Sequence, residues 1–352
     1  MHGSAAILEK LRAEFRKSGQ THVRVANPSR YFFMPLEALL VDGAAAHANS
    51  GRILRGSLAP IWEWITRDLL PTMARDYESE MKKLIVADNQ REAKEVARTF
   101  QTKVVKYLES TLGSPDGVDQ TRAKLAVYTA SPEAYGDLIK IQRVLRARDA
   151  LAKFSGALPV TIDAEFDDER VAKITGLLDA FRKSQAAEIP FALALVATRL
   201  KTPWQLIRLA TKAAPSKDAA EIAATPCAIA VSMVLDRLDD NRSALHLALK
   251  NERVLVAKEI LTEIYETEHA LRVRIDRLDE SDWGKRLQIL MSAVNVLVEA
   301  EVSRFPDRVH HILSSRSLHS EQSLAGRLTY FAWKGRDALV DGAAYCRKLV
   351  GQ

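Results

Sequence analysis

Apolar residues recur every three or four positions along nearly the whole of this 352-residue chain, and this spacing most limits what the chain can fold into. Side chains at that spacing lie on one face of an α-helix, whereas a half-buried strand alternates at every second residue. Strand-like alternation is nearly absent, and the only plausible extended segments are residues 21–28 and 158–166. The pattern therefore predicts an all-α protein, an irregular multi-helix bundle or helical array with at most two short extended segments.

Hydroxyl–proline pairs mark several predicted helix starts, namely Ser131-Pro132, Thr202-Pro203 and Thr225-Pro226. In each pair the hydroxyl can accept a hydrogen bond from a free first-turn amide, and proline supplies the φ angle of the first helical position. Pro190 lies within a long helical pattern and should kink or divide that helix. The predicted helices are 4–18, 35–42, 58–70, 71–88, 90–112, 118–129, 132–154, 167–200, 203–213, 216–224, 226–239, 241–250, 252–278, 282–304 and 317–350.

The stretch between residues 156 and 166 is the best candidate for a domain boundary. It combines Gly156, Pro159 and a short acidic cluster between two strongly helical patterns. We therefore expect an N-terminal helical region over 1–157 and a C-terminal helical bundle over 165–352, with one continuous domain as the alternative.

Composition limits the chemistry and the cellular setting. Hydrophobic residues make up 47% and charged residues 27% of the chain, which is ordinary for a globular protein, and the net charge of +6 is mild for this length. Two cysteines, Cys227 and Cys346, are too few for a disulfide framework or a thiolate zinc site. The N-terminus lacks a signal-peptide pattern, and the longest apolar runs are too short to span a membrane. The expected location is the cytoplasm.

Short motifs for nucleotide binding, for activated nucleophiles and for metal binding are absent from the sequence. Glu266-x-x-His269 matches half of a di-iron pattern, but both residues fall on the polar side of their helical wheel and the sequence contains no second Glu-x-x-His. These absences weaken an enzymatic interpretation without excluding it, and no catalytic residue or cofactor is predicted.

Two other carboxylates fall where core residues are expected. Glu268 lies inside the apolar stripe of its helix, and Glu301 interrupts the apolar stripe of the next one. Because a buried carboxylate must be paired, protonated or metal-bound, we expect both to be substantially buried, each with a basic or hydroxyl partner. A metal or acid–base site formed by Glu268 and Glu301 is the alternative.

The N-terminal region concentrates aromatic residues beside arginines. On a helical wheel, Trp62 belongs to the buried stripe of the helix that begins at Leu58, and Trp64 lies at its flank, after Arg52 and Arg55. A tryptophan beside arginine is typical of a protein-interaction hot spot, so Trp64, Arg52 and Arg55 are the candidate partner-binding residues. In the alternative interpretation the aromatic segment packs as a cover over the bundle.

A basic arc lies on the helix predicted over 132–154. Lys140, Arg143, Arg146 and Lys153 share this arc, so they could hold phosphate oxygens. No aromatic or amide side chain interleaves with these charges, however, and solvated basic faces are common on helices.

These features favour a cytoplasmic helical interaction or scaffold protein, with a protein partner or self-association and no membrane span. Gly335 and Gly342 lie on the apolar face of the last predicted helix, where they would allow close approach of another helix from the same chain or a second copy. The first alternative is an enzyme or metal protein that uses buried carboxylates of a helical core. The second is a nucleic-acid or anionic-surface binder that uses the basic helix.

Overall fold

The computed structural model of the protein describes residues 27–42, 51–162, 166–251 and 253–304. Within these residues the regular structure is overwhelmingly helical, and each of the two strands contains only two residues. The predicted all-α class is therefore confirmed. The predicted helices 4–18 and 317–350, with Gly335 and Gly342, lie outside the described residues.

Most helices begin and end close to where the apolar spacing placed them. In chain order the elements are α1 (Pro28–Phe33), a 3₁₀ turn (Met34–Leu39), β1 (Leu40–Val41), β2 (Ile53–Leu54), a 3₁₀ turn (Arg55–Ser57), α2 (Leu58–Trp64), a π turn (Ile65–Leu69), α3 (Pro71–Val86), α4 (Gln90–Leu112), α5 (Pro115–Ala126), α6 (Glu133–Ala157), α7 (Asp168–Gln185), a 3₁₀ turn (Ala186–Glu188), α8 (Ile189–Ala197), a 3₁₀ turn (Pro203–Gln205), α9 (Leu206–Ala213), α10 (Ala219–Ala223), a 3₁₀ turn (Pro226–Ala228), α11 (Ile229–Lys250), α12 (Val254–Arg274), a 3₁₀ turn (Leu278–Glu280) and α13 (Asp282–Arg304).

The described residues form two compact units. The first unit contains residues 27–42 and 52–152, and the second contains Gly51 and the described part of 153–304. The domain boundary predicted near 156–166 stays a prediction.

In the first unit, α4 packs against α1, α3 and α5. Its core includes Met81 from α3 and Val104 and Leu108 from α4, all without solvent exposure. The second unit is built around α11, which packs against α9, α12 and α13. Every α8 residue from Phe191 to Val196 is buried.

Proline acts in the second unit as predicted. α7 ends at Gln185, and after a short 3₁₀ turn α8 begins with Pro190 in its first turn. Proline has no amide hydrogen to donate, which makes the first turn of a helix the position that tolerates it. The single helix predicted over 167–200 is therefore divided at Pro190.

The predicted hydroxyl caps are wrong for Thr202 and Thr225, because neither side chain caps the turn that follows it. The Thr225 hydroxyl instead donates to the carbonyl of Ile222 at 2.8 Å, at the end of the preceding helix. In the described residues, the side chains that accept amide hydrogen bonds at helix starts include Asn89, Ser114, Asp167, Asp218 and Ser281.

The strands lie elsewhere than predicted. β1 and β2 pair in parallel, with Leu40 opposite Ile53 and Val41 opposite Leu54, although residues 35–42 were predicted as helix. In the predicted extended segment 158–166, Ile162 forms a single bridge to Leu200. Residues 21–26 and 163–165 lie outside the described residues. Pairings over such sequence distances depend on tertiary packing, which local spacing does not encode.

Gly51 adopts a positive φ of 70° within the second unit. A Cβ atom at this position would lie 2.5 Å from the carbonyl oxygen of Pro190, at the start of α8. Both the backbone angle and the close approach therefore require glycine here.

Candidate functional site

An aromatic cluster in the first unit fixes the geometry of the candidate site. Phe32 and Phe33 of α1, Trp62 of α2, Tyr77 of α3 and Phe100 of α4 pack with ring centroids between 4.5 and 6.3 Å apart. The Tyr77 hydroxyl donates to a main-chain carbonyl at the start of α1 at 2.8 Å, and burial raises the pKa of Tyr77 above its usual range. The rings thus hold α1 against α3 and α4, as expected for an aromatic segment that covers the bundle.

The two tryptophans of α2 exchange the roles predicted for them. Trp64 is only 1% exposed, and Trp62 is half-buried at the edge of the aromatic cluster. The prediction that Trp64 is an exposed anchor is therefore wrong. The π turn Ile65–Leu69 follows Trp64 directly. The buried face of α2 and this turn therefore runs through Ile61, Trp64 and Ile65, not through Trp62.

Trp62 forms one wall of a groove of about 760 Å³ in the first unit. This volume lies within the range of about 300–1,000 Å³ that is usual for binding pockets. The apolar lining comes from α1, β1, α2 and α3. The groove is lined by Ser29, Arg30, Phe33, Glu37, Leu40, Arg55, Leu58, Ala59, Trp62, Glu63, Thr66, Arg67, Ala74, Arg75 and Glu78.

Two of the arginines in the groove are held by neighbouring carboxylates. The Arg55 guanidinium lies 3.3 Å from Glu37 and 2.9 Å from Asp42, and these hydrogen bonds raise the pKa of Arg55. Arg67 lies 2.8 Å from Glu63, one turn earlier on the same helical segment. Both pairs are exposed, so we expect them to contribute little stability.

The other two arginines, Arg30 of α1 and Arg75 of α3, are exposed. Neither forms an ion pair with any carboxylate of the described residues, and the only side-chain hydrogen bond of Arg75 there runs from Nε to the carbonyl of Pro71 at 3.4 Å. Their guanidinium groups therefore have donors free on the same groove as the half-buried face of Trp62.

Sequence reasoning proposed Arg52, Arg55 and Trp64 for this surface, and only Arg55 lines the groove. Arg52 is half-buried, and one of its terminal nitrogens lies 3.5 Å from the carbonyl of Ala38. The residues missed were Trp62, Arg30 and Arg75. A signal existed for Arg30, which adjoins the aromatic run Tyr31–Phe33.

A buried carboxylate, Asp137 of α6, holds the connection that leads into α2. It is 1% exposed and accepts hydrogen bonds from the Ser57 hydroxyl at 2.7 Å and the Leu54 amide at 3.1 Å. Lys140 lies 3.0 Å from the other carboxylate oxygen and also donates to the carbonyl of Arg52 at 2.9 Å. Every strong acceptor in this small network is thus matched by a donor, which is what makes a buried ion pair tolerable.

This network removes Lys140 from the predicted anion-binding arc, because its side chain is only 15% exposed and its ammonium group is already engaged. Arg146 is exposed and lies 3.7 Å from Glu109, while Arg143 is half-buried with interactions of its own. Lys153 is exposed. Anion binding by Arg143, Arg146 and Lys153 stays a prediction.

The predicted carboxylate site is only partly described. The Glu268 side chain is mostly buried, with 21% exposed, and it pairs with a basic partner, Arg272, at 3.0 Å, as predicted. Glu301 lies in the last turn of α13, and its side chain falls outside the described residues. Glu266 and His269 are exposed, as the helical wheel predicted. Among the described residues no group of three or more His, Cys, Asp or Glu side chains could hold a metal ion.

The second unit contains a smaller cleft of about 500 Å³, bordered by Asp218, Arg277 and Trp283. Asp218 accepts a hydrogen bond from the Ala220 amide at 2.9 Å and pairs with Arg277, and these two interactions lower the pKa of Asp218. Arg277 has a positive φ of 54°, an uncommon conformation for a residue with a side chain. The Trp283 indole donates to the Ser232 hydroxyl at 3.3 Å. The side chains of Asp218, Arg277 and Trp283 in this cleft are therefore already partnered within the chain.

No protein-family model, curated protein or solved structure matches this chain. In the part of the chain that the structure describes, no helix is both long and apolar enough to cross a membrane.

Proposed function

We propose that this protein is a helical binding protein whose groove in the first unit holds a segment of a partner protein. One observation carries the proposal: the half-buried Trp62 faces an open groove that is bordered by Arg30 and Arg75, two arginines without a carboxylate partner among the described residues. Tryptophan and arginine are the side chains that most often dominate the binding energy of protein interfaces.

The shape of the site supports a macromolecular segment rather than a small substrate. The groove is open and lined from several helices and turns, and its walls mix apolar residues with charges of both signs. Such a surface resembles the apolar centre and polar rim of a protein interface. The two alternatives, a carboxylate-based enzyme and a nucleic-acid binder, gain no support, because Glu268 is paired with Arg272 and Lys140 with Asp137. The cytoplasmic location stays a prediction.

The test fills the groove without disturbing the aromatic cluster. Ala59 lines the groove and is exposed, so Ala59→Trp places a large side chain in it from the solvent side. Ala123→Trp, at an exposed position of α5 outside the groove, is the matched control. Peptides selected from a random display library on the unmodified protein should lose binding to the Ala59→Trp variant and keep binding to the Ala123→Trp variant.

We expect a loss of at least about tenfold in affinity for Ala59→Trp, equivalent to about 1.4 kcal/mol. Circular dichroism and a thermal melt would check that both variants fold. Selected peptides that bind both variants equally would place binding outside the groove and refute the proposed function.

A further inference from the structure

We infer that the partner segment is acidic and carries an apolar anchor side chain, so that carboxylates meet Arg30 and Arg75 while the anchor packs on Trp62; this inference rests on the proposed function. The groove is lined by the four arginines Arg30, Arg55, Arg67 and Arg75 and by the three glutamates Glu37, Glu63 and Glu78.

The internal ion pairs decide which of these charges a partner meets. Glu37 and Glu63 are engaged by Arg55 and Arg67, at 3.3 and 2.8 Å. Arg30, Arg75 and Glu78 remain without such a pair among the described residues. The unpaired charges that line the groove are therefore two guanidinium groups and one carboxylate, while Asp42, the second partner of Arg55, lies outside the lining. This local excess of positive charge favours an acidic partner.

The chemistry of arginine narrows the partner group further. A guanidinium presents its donors in a planar fork that matches a carboxylate, and it also stacks on aromatic faces. Arg75 uses only Nε within the described chain, which leaves its terminal nitrogens for a partner. The apolar lining around Trp62, with Phe33, Leu58 and Ala74, gives an anchor side chain a surface to cover.

The same charges disfavour two other occupants. The chain's own N-terminal segment, residues 1–26, has five Lys or Arg (Lys10, Arg12, Arg16, Lys17, Arg24) against two Glu (Glu9, Glu14), a net charge of +3 that Arg30 and Arg75 would repel. A nucleic acid carries a phosphate at every nucleotide, so its backbone would also meet Glu37, Glu63 and Glu78. A peptide can place its acids at intervals and avoid them.

The test compares two fluorescein-labelled peptides by fluorescence anisotropy on the full chain. In the acidic probe, one Phe and one Leu are set among Asp and Glu; in the basic probe, Lys replaces every acid. We expect the acidic probe to bind and the basic probe to bind at least about tenfold more weakly, since each tenfold corresponds to about 1.4 kcal/mol.

Charge reversal then locates the contact. Arg30→Glu and Arg75→Glu should each weaken the acidic probe by about tenfold, and the double reversal should improve binding of the basic probe. Arg91→Glu, which reverses an exposed arginine of α4 outside the groove, should leave both affinities unchanged. Both groove arginines are exposed and without carboxylate partners in the described chain, so the reversals should not prevent folding.

Three results would overturn the inference: equal binding of the two probes, an acidic probe that is insensitive to both reversals, or a single-stranded oligonucleotide that binds more tightly than the acidic probe. These results are distinct from failure of the proposed function. If neutral or basic peptides bind the unmodified chain and lose binding to the Ala59→Trp variant, the groove is still the binding site. Only the requirement for an acidic partner is then refuted.

Discussion

The two units of the protein are built with different side chains and leave different surfaces. The first unit closes around the cluster of Phe32, Phe33, Trp62, Tyr77 and Phe100, and one face of that cluster opens into the groove. The second unit is packed mainly with aliphatic residues, such as those of α8 and α11. Large rigid rings meet at few geometries, whereas branched aliphatic chains interdigitate closely. The proposed binding surface uses this aromatic edge, which the aliphatic core of the second unit lacks in the described residues.

The two units also differ in how the arginines described here are paired with carboxylates. In the second unit, Arg286 reaches Asp236 at 2.6 Å and Arg237 reaches Glu263 at 3.2 Å, each across a helix–helix contact. In the first unit, Arg30 and Arg75 border the groove without such carboxylates in the described chain. These two pairs of the second unit are engaged between helices, whereas Arg30 and Arg75 of the first unit are presented to solvent at the groove.

The largest effect should come from the buried tryptophan of the first unit. Trp64→Ala should cost about 3–5 kcal/mol of unfolding free energy, because it leaves a large cavity in the core. Trp64→Phe should cost much less, since the Trp64 indole nitrogen is buried without a hydrogen-bond partner among the described residues and phenylalanine removes that donor. Amide hydrogen exchange reports the stability of each unit separately, so it would measure the stability loss of both Trp64 variants. If Trp64→Ala leaves the unfolding free energy nearly unchanged, the assignment of Trp64 to the core and of Trp62 to the groove wall is wrong.

Two buried aspartates give the next comparison. Asp137→Ala should cost about 3–5 kcal/mol, because it strands Lys140 in a site where only 15% of that side chain is exposed. Asp236→Ala in the second unit should cost less, about 1.5–3 kcal/mol, because its partner Arg286 is 38% exposed and can turn to water. Urea unfolding of the two variants would measure the difference, and equal losses would show that burial of the partner does not matter.

A smaller effect is expected at alkaline pH. Burial raises the pKa of Tyr265, in the second unit, from its ordinary value of 10 to about 12. The neutral phenol is thus favoured in the folded state, so its contribution to stability is complete below pH 10 and is lost as the pH rises through about 12. Tyr265→Phe should cost about 0.5–1.5 kcal/mol at neutral pH through loss of its hydrogen bond to Asn295 and should lack this alkaline loss. Urea titrations at a series of pH values would compare the variant with the unmodified chain, and parallel pH profiles would contradict the expectation.

The smallest effect should be the acid dependence of the cleft in the second unit. The Ala220 amide and Arg277 lower the pKa of Asp218 below its ordinary value of 3.8. The ionised carboxylate therefore stabilises the folded state above pH 3.8, and this contribution is lost as the pH falls through the folded-state pKa. Asp218→Asn keeps a capping acceptor but loses the ion pair, so its melting temperature should approach that of the unmodified chain only at acid pH. A gap in melting temperature that persists at the lowest pH would mean that the ion pair is not its source.

Local spacing predicted the helices and failed at details that distant contacts decide. The range 90–112 is the same in the prediction and the structure, because its apolar face lies within the segment and its cap, Asn89, directly precedes it. The parallel pairing of β1 with β2 depends on chain segments brought together from a distance, and the short π turn Ile65–Leu69 departs from the period that a helical wheel assumes. The helical wheel placed Trp62 in the core and Trp64 at its flank, whereas the structure buries Trp64 and leaves Trp62 half-buried.

The position of Gly51 affects the order in which the two units can fold during synthesis. It precedes the first unit's residues 52–152 in the sequence, yet it belongs to the second unit, where its α-carbon lies against Pro190. During synthesis the ribosome therefore produces nearly the whole first unit before Pro190 emerges to meet Gly51. Domains generally fold as units in the order in which they are translated. The first unit can therefore fold before Gly51 has its contact partner, and the second unit is completed only after Pro190 has been made.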